Sequence, residues 1–226
     1  MSNRTLRHAL PIPDATVNRI VTPPPAIARP ELGPLLSMLF MRLDAKQSLV
    51  LHVTSATPGE GTTTVACDVA AGAAAAGWCR VALVDARPAA RRVPAGMMDG
   101  LAESAERGVE PFLRRSRIGS ATIDTAVLSA SGQPVSRLET VRSVYQTLRQ
   151  RYSLIVVDCP AVFAGQQMMV LASAADETIL VLEAERSPLA EVARAREALG
   201  QRGASVMGVV MNKSRQRIPK LLGWML

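Results

Sequence analysis

The sequence predicts an α/β domain, doubly wound around a mostly parallel sheet, on three observations. From about residue 48 onward, short apolar runs alternate with longer amphipathic stretches. A glycine-bearing turn stands between the first strand and the first long helix, and two later strands, VALVD and LIVVD, end in aspartate at Asp85 and Asp158.

Six of the fifteen prolines fall in residues 1–30, with little apolar periodicity, so this segment reads as a flexible arm. Residues 48–54 read as a strand and 62–77 as a helix; the Ala-rich stretch there carries Asp68 and two glycines, which makes it a buried helix rather than a membrane span. Val81–Asp85 is the next strand, residues 97–107 are helical and 122–128 extended. Ser136 supplies an N-cap for a helix to residue 151, with Leu138, Val141, Val144, Tyr145 and Leu148 on one face. Leu154–Asp158 is a β-branched apolar run of the kind covered by helices on both sides. A helix over 166–174, a strand over 178–183, a helix over 188–201 and a strand over 205–211 complete the series. The organisation is therefore an arm (1–30), a domain (31–213) and a basic, then apolar, tail (214–226).

Composition sets the class. The chain has 226 residues, 48% of them apolar and 20% charged, which suits one core and excludes wholesale disorder. No apolar run is long enough to span a bilayer and no secretory signal is visible, so the expectation is a cytoplasmic protein. A net charge of +7 favours an anionic partner, while aromatic residues at 3% are too sparse for a base-stacking nucleic-acid module. Cys67, Cys79 and Cys159 have no metal-ligand spacing and read as buried thiols.

The chemistry gathers at the carboxyl ends of the strands. In VTSATPGEGTTT (residues 53–64) a glycine turn opens a helix, so backbone amides and the positive end of the helix dipole converge on one spot. A phosphate loop with two strand-end carboxylates implies a nucleotide with magnesium.

With TSATPGEGTTT, VALVDA, YSLIVVDCPAV, ADETILVLEAERS and VMGVVMNKS in that order, the chain resembles the cytoplasmic domain of the bacterial tyrosine kinases. These P-loop proteins work with membrane co-polymerases in capsule and exopolysaccharide production. Their superfamily, with its deviant phosphate loop, also holds the partition and division-site ATPases. The extra lysine of those ATPases would fall at Thr57, so the kinase branch fits better. The resemblance implies ATP or ADP with Mg²⁺ as cofactors. Pro58, Gly59, Glu60, Gly61, Thr62, Thr63 and Thr64 would cradle phosphate, and Asn212 would meet the base. Thr63 and Asp158 would hold the metal, and Asp85 and Asp158 would serve the chemistry.

Departures from the pattern are as informative. The loop reads Gly61-Thr62-Thr63 where a lysine normally follows the glycine, so phosphoryl transfer should be severely weakened while nucleotide binding stays open. Arg87 replaces the second polar group after Asp85; the ordinary fate of such an arginine is solvent or a partner, with a smaller chance that it returns charge to the phosphates. Pro34 and Ser37 stand where the family's ring-packing arginines would fall after Glu31, which leaves self-assembly open. The tyrosine cluster of the family's tail has no counterpart, the only tyrosines being Tyr145 and Tyr152. Residues 215–226 could instead meet a membrane surface or a partner helix. The resulting expectation is a kinase-like accessory protein of polysaccharide synthesis and export, peripheral at the inner face of the plasma membrane. It would dock on a co-polymerase or chain-length regulator. An active non-standard ATPase or tyrosine kinase is the alternative, and a positioning-type ATPase a weaker one.

Overall fold

The computed structural model describes residues 32–77, 79–87, 101–106, 113–129 and 135–213. The expected arm (1–30), the tail (214–226), Glu31, and residues 97–100 and 107 of the expected helix lie outside the described residues.

In chain order the elements are α1 (Gly33–Ala45), β1 (Leu49–Ser55), α2 (Thr62–Ala75), β2 (Val81–Asp85), α3 (Leu101–Glu106), β3 (Arg114–Ile118), β4 (Ala121–Val127), α4 (Leu138–Arg149), β5 (Leu154–Asp158), α5 (Gln167–Leu171), β6 (Glu177–Glu183), α6 (Leu189–Gly200) and β7 (Val206–Asn212). The strands form a 7-stranded sheet in the order β3-β4-β2-β5-β1-β6-β7. All neighbours are parallel except β3 and β4, a hairpin at one edge.

Successive strand residues point to opposite faces, so each inner strand feeds two cores. On β1, Leu49, Leu51 and Val53 join Leu36 and Leu39 of α1 and Val65, Val69 and Ala73 of α2. Val50 faces the other way, toward Val141, Val144 and Leu148 of α4, Met168 and Leu171 of α5, and Leu199 of α6. This is the doubly wound arrangement that the apolar runs predict.

Two element expectations and one on burial need correction. Ser136 does not cap α4: Arg137 is the N-cap residue, makes no side-chain cap hydrogen bond, and leaves the helix to be held by its apolar face. The helix expected over 166–174 keeps its regular part only at Gln167–Leu171. Cys159 is buried, but Cys67 and Cys79 are only half buried.

Among the described residues no helix is long and apolar enough to cross a membrane.

Candidate functional site

β1 is completely buried and delivers its last residue, Ser55, to the carboxyl end of the sheet, where the chain must turn sharply to start α2. Two glycines make that turn possible. Gly59 and Gly61 both have φ +94°, a left-handed conformation that side-chain-bearing residues rarely adopt. At Gly61 there is also no room, because a Cβ would lie 1.9 Å from Nδ2 of Asn212. Gly61 is the N-cap of α2 and no side chain caps this end among the described residues, so the first-turn amides are left for a ligand.

The loop is braced from both sides. Thr62 Oγ1 donates to Ser55 Oγ at 3.0 Å, and Ser55 Oγ donates to the Thr57 carbonyl at 2.8 Å. Glu60 folds its carboxylate back, accepting from the Thr57 amide at 3.0 Å and from the Ser187 hydroxyl. From the far end of β7, Asn212 Nδ2 donates to the Glu60 carbonyl at 3.0 Å. Lys213 Nζ donates to the Gly59 carbonyl at 2.7 Å and pairs with Glu183 at 3.0 Å.

The opposite wall follows β5. Cys159, Val162 and Phe163 donate their amides to the carbonyls of Val53, Ser55 and Ala56, and Thr54 Oγ1 donates to the Pro160 carbonyl. Between wall and loop lies a cavity of about 390 Å³ lined by Ser55, Pro58, Gly59, Gly61, Thr62, Thr63, Arg87, Cys159, Pro160, Ala161 and Ala164.

β2 and β5 pair in a register that sets Asp85 directly against Asp158. Two carboxylates so placed repel, and Arg87 lies between them. Asp85 Oδ1 accepts from the Arg87 amide at 3.0 Å, the turn an aspartate makes with the residue two places on. That turn folds the Arg87 side chain back over the same carboxylate, with Nε 2.9 Å from Oδ1 and Nη2 2.6 Å from Oδ2. Nε is also 3.1 Å from Asp158 Oδ2, and Nη1 donates to Thr63 Oγ1 at 2.7 Å. The Asp85 hydrogen bond in particular holds the guanidinium charged above its usual range. Burial pushes the Asp158 carboxyl up to about 6, against the pull of Arg87 and the Thr63 hydroxyl and with a further push from Asp85.

Thus, of the residues expected to cradle phosphate, Pro58, Gly59, Gly61, Thr62 and Thr63 line the cavity. Glu60, Thr64 and Asn212 do not: Glu60 is turned away to Thr57 and Ser187, Thr64 is exposed, and Asn212 is packed behind the loop. Asp85 and Asp158 come together, but Arg87 rather than either carboxylate faces the cavity. The expectation of a solvated Arg87 is corrected, because the turn at Asp85 and the adjacent Asp158 capture it. The Oδ1 of Asp158 is buried with no hydrogen-bond partner among the described residues. That orphan oxygen would suit a metal, yet the Arg87 guanidinium already holds Thr63 Oγ1, the loop hydroxyl magnesium would need, and sets its positive charge on the other oxygen of Asp158. As arranged, these residues do not fit the ion. Sequence reasoning missed the bracing by Lys213 and Ser187, for which the only signal was the place of Lys213 beside Asn212.

No family profile matches the chain. It is 31% identical over 186 residues to EpsB of Ralstonia solanacearum, provisionally named a tyrosine-protein kinase; the match covers 78% of this chain and 24% of EpsB, so this chain spans about a quarter of that relative. It is 26% identical over 186 residues to the tyrosine-protein kinase CpsD of Streptococcus pneumoniae, covering 76% of this chain and 79% of CpsD. Among solved structures, the kinase domain of the Escherichia coli tyrosine kinase ETK aligns with a TM-score of 0.62 at 21% identity, covering 80% of this chain and 74% of that one. The MinC:MinD cell division complex of Aquifex aeolicus aligns at 0.58, with 21% identity and coverage of 72% and 68%. Cobyrinic acid a,c-diamide synthase of Mycobacterium smegmatis, with bound ADP and magnesium, aligns at 0.55, with 20% identity and coverage of 73% and 74%. In sequence, then, this chain is homologous to proteins named bacterial tyrosine-protein kinases, and in fold it is similar to their kinase domains and to MinD.

Proposed function

We propose that this chain is a nucleotide-responsive accessory protein of exopolysaccharide synthesis and export, a kinase-like relative with little or no phosphotransfer that docks on a membrane polysaccharide co-polymerase. The observation that carries the reading is the loop itself: its cradle is built and braced, yet Thr62 stands where the phosphate-gripping lysine would be. Loss of one donor that stabilises developing charge typically costs about 10²–10³ in rate. Both tyrosines of the sequence support it as well. Tyr145 is packed in the core against His52, and Tyr152 is buried with its hydroxyl on Asp124, so neither is offered to a kinase site. The polysaccharide context rests on the resemblance to the capsule and exopolysaccharide kinases.

Titration with a fluorescent ATP analogue, paired with labelled-ATP turnover, tests the reading. Saturable binding with no transfer to protein and negligible hydrolysis is the expected result. Turnover that Asp158→Ala abolishes would establish the active alternative, which Arg87 in the site favours. An absence of saturable binding up to millimolar nucleotide would end the nucleotide-responsive reading. Binding to a co-polymerase is tested by co-purification of the full chain with the membrane protein.

A further inference from the structure

Arg87 has five N–H donors. Nε is shared between the two aspartates, one Nη1 donor goes to Thr63 and one Nη2 donor to Asp85. The remaining donor on each terminal nitrogen has no partner among the described residues, and the side chain lines the cavity. In a phosphate-loop protein the loop hydroxyl and the strand-end aspartate share a magnesium ion that bridges to phosphate oxygens. Here one guanidinium touches the same hydroxyl and the same aspartate, is fixed by Asp85, and lines the cradle with two donors that no described residue takes.

We propose that Arg87 is a tethered substitute for the divalent cation, so that this site takes the phosphates of a nucleoside di- or triphosphate without metal. The proposal rests on the reading of the loop as a nucleotide site. Tethering two residues from Asp85 makes the contact intramolecular, so free magnesium has to compete against a high local concentration of guanidinium. A planar fork matches phosphate oxygens as well as carboxylate ones, which lets Arg87 hold both at once.

The test titrates fluorescent ADP into the full chain, in excess magnesium and in EDTA, for the parent, Arg87→Met and Arg87→Gln. Thermal unfolding of each protein without nucleotide is followed across a magnesium titration. The parent should bind equally with and without metal, within about twofold, and magnesium should leave its Tm unchanged. Both variants should lose about tenfold or more in EDTA, the usual size for a charge-assisted contact. Their exposed carboxylate pair should make magnesium raise Tm. Parent binding about tenfold tighter with metal, or a magnesium-raised Tm in the parent, would overturn the proposal and leave the nucleotide reading intact. Absence of binding by every protein in both conditions would instead remove the nucleotide reading, and with it metal-free binding, whatever the Tm series gives.

Discussion

At Asp158 burial and the charge of Arg87 act in opposite directions. Its folded carboxyl sits at about 6 against an ordinary 3.8, with burial the larger cause, so the fold favours the protonated form. Its contribution to stability is therefore full below 3.8 and is lost as pH rises through about 6. A rise from 3.8 to about 6 corresponds to about 3 kcal/mol. Asp158→Asn should be more stable than the parent at pH 7 by roughly that amount more than at pH 4, read from urea denaturation at both. Gly61 poses a steric question. Alanine there would combine a left-handed backbone with a Cβ 1.9 Å from Asn212 Nδ2, so Gly61→Ala should cost about 2–4 kcal/mol. Gly59→Ala has the same φ but open space around the added carbon, and should cost only the conformational part, about 1–2 kcal/mol, in the same assay.

At the scale of elements, α1 and α2 meet where Gly72 admits Leu36. A Cβ on Gly72 would lie 2.9 Å from Leu36 Cδ1, and Leu36 is fully buried. Leu36→Ala should cost about 2–5 kcal/mol by leaving a cavity. Gly72→Ala gains about 1 kcal/mol of helix propensity, which the crowding offsets, so alone it should be near neutral. In the Leu36→Ala background the crowding is gone and Gly72→Ala should stabilise. A double-mutant cycle by urea unfolding should thus give non-zero coupling, and additivity would refute the packing account. Most elements were legible in the sequence because inner strands such as LIVVD and the face of α4 carry their burial pattern openly. β3 was not: its run Arg114-Arg-Ser-Arg-Ile118 has exposed or half-exposed residues, as suits an edge strand whose partner, not its own apolar pattern, makes it extended. α1 was not assigned from the residues either, since only Leu36 and Leu39 are buried along it and Met38 and Met41 are exposed. The loop of the candidate site was legible because glycine spacing and position are local. The destination of Arg87 was not, since it depends on the β2–β5 register, which brings together residues about seventy positions apart.

For the molecule as a whole, His52 balances Asp158. The ring is completely buried, accepts or donates to the Tyr145 hydroxyl at 2.7 Å, and burial lowers its pKa to about 3 against an opposing pull from Asp176. A depressed histidine stabilises the fold fully above its ordinary value of 6.5, and that stability is lost as pH falls toward about 3. Over pH 4–6 it therefore gives a slope of about +1.4 kcal/mol per pH unit, and Asp158 one of opposite sign. The two largely cancel in the parent. Subtracting the parent profile should expose each: His52→Gln minus parent should fall with rising pH, and Asp158→Asn minus parent should rise. Parallel difference profiles would refute the assignment.

The ties from Asn212 and Lys213 to the loop carbonyls reach across 152 and 154 positions of the chain. Contacts of such separation close late, after the intervening elements have found their places. On the ribosome, the final strand of the sheet emerges long after the glycine turn it fastens. In a nascent chain that turn thus stays unfastened until the strand has emerged.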